Sequence, residues 1–313
     1  MSIPSDLPPA GAPQPVVRFE DLRVTFHTRR GTIEAVKGLS FAINPGEVVA
    51  LVGESGSGKS VSSMALMRLN PEPATSYGGK LWWKDENILT MGKERLRRMR
   101  GAEIGMIFQE PMTALNPTWT CGAQVAEALE LHTDLDARAR QARVQELFDQ
   151  VGIPQAATRM QQYPHEMSGG MRQRICIAMA LACHPRLLIA DEPTTALDVT
   201  IQAQILELLK RLQQEQGMAV LFITHDLGVV AELADRVLLM RQGVKVEEGA
   251  VADIFAAPKH PYTKGLLACR PRLGVRRDRL PTVDDFMQEQ GRLAGTPAVP
   301  PVAPGPAPAP SGP

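Results

Sequence analysis

The sequence predicts an α/β fold in which helices cover a largely parallel β-sheet. Over residues 16–240, short β-type runs alternate with helical patterns, an order typical of a parallel sheet flanked by helices. Several apolar runs lack polar alternation, as expected of strands that are covered on both faces. The predicted strands span residues 47–52, 104–108, 186–190, 219–223 and 237–240.

Helical segments are predicted between these strands. Ile201, Ile205, Leu208 and Leu212 recur at helical spacing and would form one apolar face of a helix over residues 199–214. Residues 113–162 have a helical composition and contain no strand-like run. With the segment that continues to about residue 175, they predict an inserted helical subdomain.

The two ends of the chain differ in composition from its body. Residues 1–15 are rich in Pro and Ala, and residues 293–313 consist almost entirely of Pro, Ala, Gly and Val. Such segments bury little apolar surface, so we expect a disordered leader and a disordered tail. Beyond Arg241 and a turn at Gln242 and Gly243, the pattern becomes mixed. We therefore expect a main domain over residues 16–250 and an extension over residues 251–292.

Charge and cysteine content limit the possible functions. The chain has 34 Lys+Arg and 34 Asp+Glu, so no global positive field favours nucleic acid. Its four cysteines form no CxxC pair, which favours reduced thiols over a disulfide framework. The longest apolar run, residues 175–183, is far shorter than the roughly 20 residues that span a bilayer. We expect a cytoplasmic protein without a signal peptide, whose membrane work would depend on a partner.

A glycine-rich loop follows the strand predicted at 47–52. It satisfies the pattern GxxxxGK[ST] and precedes a helix predicted over residues 61–69, the context that a phosphate-binding loop requires. Lys59 would pair with the β- and γ-phosphates, and the Ser60 hydroxyl would ligate Mg²⁺. The alternative is a glycine-rich surface turn. The candidate nucleotide-binding residues are Gly53, Glu54, Ser55, Gly56, Ser57, Gly58, Lys59, Ser60 and Val61.

Two adjacent carboxylates follow the strand predicted at 186–190. Successive side chains of a strand diverge, so Asp191 and Glu192 can have different roles. Asp191 would hold Mg²⁺ through its water shell, and Glu192 would act as general base toward the attacking water. An ordinary solvated turn is the alternative, and the nearby phosphate loop makes it the weaker one.

Gln109 and His225 also follow predicted strands. Open α/β sheets bind ligands at the carboxyl ends of their parallel strands, where both residues would lie. The Gln109 amide oxygen would reach the metal and the lytic water, and the His225 imidazole would contact the γ-phosphate. A structural role is the alternative for each. These residues indicate a P-loop ATPase or GTPase without distinguishing the two.

The segment MSGGM at residues 167–171 resembles the signature sequence of the ABC ATPase family. That sequence is usually LSGGQ, and Met here replaces both its first Leu and its final Gln. The segment lies between Gln109 and Asp191 and is followed by Asp198 and His225, so the resemblance covers roughly residues 16–270. It implies a P-loop NTPase fold of the ABC type, with a RecA-like parallel sheet core, an antiparallel β subdomain, an inserted helical subdomain and a short C-terminal extension.

The resemblance also implies a dimer in which two such domains meet head to tail around ATP. Ser168 and Gly170, with Gly169 between them, would contact the γ-phosphate held by the other subunit. Donors at a helix N-terminus suit that phosphate. Asp198 would belong to the loop that links the two sites. Phe26 occupies the position of an aromatic that stacks on adenine, and packing in the core is its alternative.

Three segments resemble the oligopeptide/dipeptide importer group, whose features nickel and glutathione importers share. They are residues 110–117, 191–204 and 259–267. The residue pairs Gly170-Met171 and Thr194-Thr195 resemble those of the D-type subunit more than those of its F-type companion. This implies a heterodimer with an F-type ATPase subunit, two membrane permeases and an extracytoplasmic solute-binding protein, at the cytoplasmic face of the inner membrane. The implied function is ATP hydrolysis that powers import of peptides or a similar small solute.

Some D-type subunits carry a cysteine cluster after this tail that holds an iron–sulfur centre. Such a centre takes four thiolate ligands, and only Cys269 lies in that region here, so we predict none. Two other functions stay open as alternatives. One is a soluble ABC ATPase that acts on ribosomes or DNA, which would usually carry two ATPase units and a basic surface. The other is a GTPase or nucleotide kinase, which would lack the signature.

Overall fold

The computed structural model describes residues 14–110, 114–195 and 197–269. The predicted leader up to residue 13, the segment 270–292 and the tail 293–313 lie outside the described residues, as do residues 111–113 and Ala196. The chain divides into one unit that ends at Ile254 and another that begins at Phe255. The first unit contains the β-sheets and the candidate site.

Ten strands are described, and they form two sheets. Their bounds are β1 (Val17–Thr28), β2 (Gly31–Ile43), β3 (Val48–Val52), β4 (Thr75–Trp83), β5 (Glu86–Asn87), β6 (Ile104–Ile107), β7 (Leu187–Asp191), β8 (Ala219–Thr224), β9 (Arg236–Arg241) and β10 (Val244–Ala250). The larger sheet has the order β10-β9-β3-β8-β7-β6, and the smaller has the order β2-β1-β4-β5.

The larger sheet confirms the predicted α/β fold. β9, β3, β8, β7 and β6 pair in parallel, and β10 adds to β9 in antiparallel. Each of the five predicted strands lies within one residue of its predicted bounds. The carboxyl ends of β3, β6, β7 and β8 therefore meet at one edge of the sheet, where parallel sheets bind their ligands.

Both faces of this sheet are buried. In β7, Leu188 and Ala190 belong to one apolar cluster, whereas Leu187 and Ile189 belong to a second one. The first cluster includes the helices that follow β6, and the second includes the strands of the smaller sheet. Burial on both faces explains why the strand sequences lack polar alternation.

The smaller sheet is antiparallel throughout and corresponds to the β subdomain that the resemblance implies. β1 lies between β2 and β4, and β5 pairs with β4. Phe19 of β1 stacks on Phe41 of β2 with ring centroids 4.2 Å apart. Trp83 is fully buried and belongs to the second apolar cluster, so it packs as part of the core.

Ten α-helices are described. Their bounds are α1 (Lys59–Leu66), α2 (Lys93–Ala102), α3 (Cys121–His132), α4 (Ala137–Gln150), α5 (Ala156–Arg159), α6 (Gly169–Leu181), α7 (Val199–Gln216), α8 (Leu227–Leu233), α9 (Val251–Ala256) and α10 (Pro261–Ala268). None of these helices is long and apolar enough to cross a membrane. The helix predicted over residues 61–69 begins earlier, at Lys59, because Gly58 supplies the left-handed residue from which it starts.

Helices α3 to α6 lie between β6 and β7 in the chain, where the sequence predicts a helical insertion. Val125 of α3, Phe148 of α4 and Ile175 of α6 are buried in the first apolar cluster. Thr120 and Asp136 cap α3 and α4, because each side chain accepts a hydrogen bond from a backbone N–H of the first turn. α6, which begins within the signature, thus packs in the first apolar cluster, whereas Leu66 of α1 belongs to the second.

Candidate active site

The phosphate loop joins β3 to α1 and is closely packed from below. A Cβ on Gly53 would lie 2.2 Å from the Met240 carbonyl oxygen of β9. Gly58 has φ +100°, and a Cβ there would lie 2.6 Å from the Ala35 carbonyl oxygen. Only glycine fits these positions, because the neighbouring atoms are backbone. The loop is thereby fixed between β2 and β9, with its other side open.

Lys59 lies under this loop. Its ammonium donates to the backbone oxygens of Gly53 at 2.6 Å and Glu54 at 2.9 Å. Burial lowers the pKa of Lys59, while the charges of Glu192 and Asp191 oppose that shift. The ammonium is therefore held at the base of the site, close enough to Asp191 and Glu192 for their charges to stabilise it.

Asp191 and Ser60 meet across the site. The Ser60 hydroxyl donates to Asp191 Oδ1 at 3.1 Å. Asp191 is 3% exposed, and this burial raises the pKa of its carboxyl to about 6, although the Ser60 hydrogen bond opposes the rise. A hydroxyl and a carboxylate are the hard oxygen donors that Mg²⁺ prefers, and Mg²⁺ commonly takes its other ligands from water and phosphate. The two side chains thus fit the predicted metal site.

Glu192 follows β7 with an unusual backbone conformation. Its φ is +46°, in the left-handed region that residues other than glycine seldom adopt. Its backbone N–H donates to the Ile223 carbonyl oxygen of β8 at 2.9 Å, which holds this conformation in place. Its side chain is 13% exposed, so the carboxylate lies at a partly enclosed edge of the sheet.

Three side chains contact the Glu192 carboxylate. Gln109 Nε2 donates to Oε2 at 3.2 Å, and the Thr195 hydroxyl donates to the same oxygen at 2.9 Å. His225 Nδ1 lies 3.4 Å from Oε1. The structure thus brings Gln109 and His225 to the predicted base, and it adds Thr195, which sequence reasoning missed. The available signal was a hydroxyl three residues after the carboxylate, across a turn that contains Pro193.

Gln109 and Glu192 border one open pocket of about 140 Å³. Predicted nucleotide-binding residues of the phosphate loop make up most of its wall, and Gln109 and Glu192 complete it. Gly53 and Glu54 are not among its lining residues, and their carbonyl oxygens accept hydrogen bonds from Lys59. The lining residues are Ser55, Gly56, Ser57, Gly58, Lys59, Ser60, Val61, Gln109 and Glu192.

The signature residues lie elsewhere in the chain and do not line this pocket. Ser168 caps α6, because its hydroxyl accepts a hydrogen bond from Met171 N at 3.3 Å. Asp198 caps α7 in the same way, accepting from Ile201 N at 2.9 Å. A Cβ on Gly170 would lie 2.9 Å from Ile201 Cγ2, so the first turns of α6 and α7 pack side by side.

Phe26 of β1 is also outside the lining of the pocket. It is half-buried, and it packs against the second apolar cluster, as does Val61 of the pocket wall. Its neighbours across the sheet are Ile33 of β2 and Thr75 of β4. This position leaves part of the ring exposed at the edge of the β subdomain, and its contact with adenine stays a prediction.

Comparisons with known proteins identify this arrangement. Residues 36–195, about half of the chain, match the model of the ABC transporter family. The chain belongs to the ABC transporter family. It is an ATP-binding ATPase subunit, and residues 246–294 also match the model of the oligopeptide/dipeptide transporter C-terminal region.

Several relatives of this ABC ATPase carry a transport function in their names. A putative peptide import ATP-binding protein of Brucella ovis is 50% identical over 305 residues, which are 96% of this chain and 87% of the relative. A second protein of that description, from Brucella abortus, is 49% identical over 278 residues, 89% of this chain and 84% of the relative. The glutathione import ATP-binding protein GsiA of Pectobacterium atrosepticum is 53% identical over 268 residues, 84% of this chain and 43% of GsiA.

Solved structures of ABC cassettes have the same fold. The dimeric, post-hydrolysis structure of the cassette MJ0796 bound to ADP and phosphate has a TM-score of 0.67 at 28% identity, covering 75% of this chain and 98% of that one. The structure of cbiO1 from Clostridium perfringens, part of an ABC transporter complex, has a TM-score of 0.66 at 27% identity and covers 78% of this chain and 92% of its own. These likenesses confirm the P-loop ABC fold and its ATPase activity.

Proposed function

We propose that this chain binds Mg·ATP, closes around it with a second ATP-binding subunit and hydrolyses it to power import of peptides or a similar small solute. One observation carries the catalytic part: the phosphate loop, the Ser60–Asp191 pair and Glu192 converge on one pocket. The names of the relatives support the cargo class, and the match at residues 246–294 supports the importer group.

Within the pocket, each residue has a chemical role in this proposal. Lys59 and the loop N–H groups bind the phosphates, and Ser60, Asp191 and the Gln109 amide oxygen hold Mg²⁺. The metal, when bound, neutralises charge on the phosphate oxygens. Glu192 accepts a proton from water as that water bonds to the γ-phosphorus and the bond to ADP breaks. His225 contacts the γ-phosphate, and Phe26 stacks on adenine.

The signature completes the pocket of the other subunit in this proposal. Ser168, Gly169 and Gly170 lie at the N-terminus of α6, where backbone donors and the helix dipole favour a γ-phosphate. Asp198, at the start of α7, lies in the loop that links the two pockets. ATP then joins two protein faces, and hydrolysis separates them again, which is how binding energy gates a partner.

We further propose the organisation and partners of the chain. A leader spans residues 1–15 and an ATPase domain spans residues 16–250, with a helical subdomain at about 113–175. An extension at 251–292 and a Pro- and Ala-rich tail at 293–313 follow. The chain pairs with an F-type ATPase subunit and works on two permeases fed by an extracytoplasmic binding protein. It lies at the cytoplasmic face of the inner membrane, binds no nucleic acid and holds no iron–sulfur cluster.

The base assignment is tested with Glu192→Gln in the full chain. The substitution keeps the shape of the side chain and its acceptor for Thr195, but it removes the proton acceptor. We expect ATP binding to be retained, turnover to fall at least about 100-fold, and ATP-dependent dimers to accumulate. Binding and hydrolysis are measured with labelled ATP, and dimers by light scattering. Near-normal hydrolysis in this variant would reject Glu192 as the base.

The partner assignment is tested by affinity purification of the tagged chain from detergent-solubilised membranes of its own cells. We expect two permeases and a second ATPase subunit to co-purify, and ATP turnover to rise when the binding protein and its peptide are added. Co-purification of ribosomes or DNA in place of permeases would contradict the importer assignment while leaving the ATPase assignment intact.

A further inference from the structure

The two oxygens of the Glu192 carboxylate have different surroundings. Oε2 accepts hydrogen bonds from the Thr195 hydroxyl at 2.9 Å and from Gln109 Nε2 at 3.2 Å, both within the ordinary range. Oε1 faces His225 Nδ1 at 3.4 Å, a longer contact than an ordinary hydrogen bond. Among the described residues, therefore, the close donors both point at Oε2, and Oε1 is the oxygen left to accept a proton.

Thr195 owes its place to the turn that follows β7. Its backbone N–H donates to the Glu192 carbonyl oxygen at 3.3 Å, which closes a turn around Pro193 and Thr194. Thr194 is buried, whereas Thr195 is exposed. The Thr195 side chain is therefore not needed to fill the core, and its hydroxyl bond to Glu192 is its defined contact.

Of the two donors to Oε2, only Thr195 belongs to the same turn as Glu192. Gln109 instead follows β6, and its amide oxygen is also proposed to bind the metal. If Gln109 turns toward Mg·ATP, Thr195 is the donor that still holds Oε2. A carboxylate held by one oxygen has fewer rotamers, and it presents the other oxygen in a constant direction.

We propose that Thr195 is a positioning residue for Glu192: its hydroxyl fixes Oε2, so that Oε1 faces the pocket as the proton acceptor. This inference rests on the proposed role of Glu192 as general base. Thr195 acts through Glu192 and does not line the pocket, so it orients the base without binding nucleotide.

The test compares Thr195→Val with Thr195→Ser in the full chain. Val keeps the branched shape and removes the hydroxyl, so we expect kcat for ATP hydrolysis to fall about tenfold, the usual scale for one hydrogen bond to a charged group. The Kd for ATP should stay within about twofold, because Thr195 does not itself line the pocket. Ser retains the hydroxyl and should restore most of kcat.

A matched control is Thr158→Val. Thr158 is an exposed threonine of α5, away from the pocket, and we expect its substitution to leave both kcat and Kd unchanged. Thr195→Ala removes the hydroxyl without adding a methyl group, and its kcat and Kd replace those of the Val variant if that variant folds poorly. Circular dichroism melting curves compare the folding of all variants.

A positioning role also predicts strong non-additivity. In a Glu192→Gln background, Thr195→Val should not lower the residual turnover further, because the base through which it acts is already absent. A normal kcat in both Thr195→Val and Thr195→Ala, with turnover lost in Glu192→Gln, would overturn this inference alone. An equal loss of ATP affinity and kcat in Thr195→Val and Thr195→Ala would overturn it, because it would indicate a structural role for Thr195. Normal turnover in Glu192→Gln would instead reject the base assignment.

Discussion

Burial disfavours the charged form of the Asp191 carboxyl in the folded chain. Its carboxyl is 3% exposed, and its described hydrogen-bond donor is the Ser60 hydroxyl. Burial raises its pKa from 3.8 to about 6. At neutral pH the folded chain must therefore hold a carboxylate that the unfolded chain would solvate better. A bound cation would offset this cost, as expected of the proposed Mg²⁺ ligand.

This cost of burying a charge predicts that Asp191→Asn stabilises the protein in the absence of Mg²⁺ and nucleotide. The folded state prefers the protonated acid, so the penalty is absent below pH 3.8, grows as the pH rises toward 6, and is complete above 6. Its size corresponds to roughly 3 kcal/mol at pH 8 and about half of that at pH 5. We expect the variant to gain up to this free energy of unfolding, and to lose Mg²⁺-dependent hydrolysis.

Urea unfolding in EDTA at pH 8 and pH 5 measures the effect, with both proteins free of nucleotide. Asn keeps an oxygen that accepts from Ser60, so a gain at pH 8 reports the removed charge. The same change in unfolding free energy at both pH values would contradict this account, as would a loss of stability at pH 8.

At the scale of elements, the phosphate loop depends on the β9–β10 turn beneath it. The Gly243 N–H donates to the Ser57 carbonyl oxygen at 2.9 Å, and the Gly243 carbonyl oxygen accepts from Lys37 N at 2.8 Å. Gly243 has φ +84°, and a Cβ on it would lie 2.7 Å from the Ala35 carbonyl oxygen. One glycine of the turn thus holds the loop and β2 together.

We therefore expect Gly243→Ala to weaken ATP binding. The new Cβ must displace Ala35 or the turn, and either shift moves the Ser57 carbonyl oxygen that the turn holds. The Kd for ATP should rise about tenfold, and stability should fall by about 2–3 kcal/mol from strain and contact together. Fluorescent nucleotide titration measures the first quantity, and urea unfolding measures the second.

Gly217→Ala is the matched control. Gly217 also has a positive φ, +61°, at the end of α7, but a Cβ there would meet nothing within 4 Å. It should cost about 1 kcal/mol of stability through backbone conformation alone, with the Kd for ATP unchanged. An unchanged Kd in a folded Gly243→Ala protein would show that the turn does not position the loop.

The sequence predicted elements better than it predicted contacts between them. The five predicted sheet strands are apolar runs bounded by polar residues or glycine, so composition alone locates them to within one residue. The contact between Gly243 and Ser57 joins residues far apart in the chain, and no local pattern reports it. Thr195 was missed for a related reason, since its role depends on the turn that directs its hydroxyl toward Glu192. Local chemistry predicts which residues can react, but tertiary packing decides which of them are oriented.

At the scale of the whole molecule, the residues proposed to bind phosphate lie in two separate places, the pocket and the signature. The pocket contains Lys59 and Glu192, whereas Ser168 lies at the N-terminus of α6 and is absent from its lining. The first turns of α6 and α7 pack together, so Ser168 and Asp198 lie at neighbouring helix ends. A likeness to a dimeric cassette bound to ADP and phosphate agrees with two faces that act in different subunits.

This division predicts that Ser168→Asp and Lys59→Ala differ in whether the isolated chain still binds ATP. Asp is as good a helix N-cap as Ser, so α6 should keep its stability in the Ser168 variant. Its added charge would face the γ-phosphate of the partner subunit, where like charges about 4 Å apart cost about 4 kcal/mol at an effective dielectric constant of 20. We expect the isolated Ser168→Asp chain to bind ATP normally, while ATP-dependent dimerisation and turnover fall more than about 100-fold.

Lys59→Ala should instead lose ATP binding in the isolated chain, because the Lys59 ammonium belongs to the pocket itself. Equilibrium binding and light scattering on the two variants separate these outcomes. Loss of ATP affinity in the isolated Ser168→Asp chain would place the signature in its own pocket, and normal turnover there would remove it from the reaction altogether.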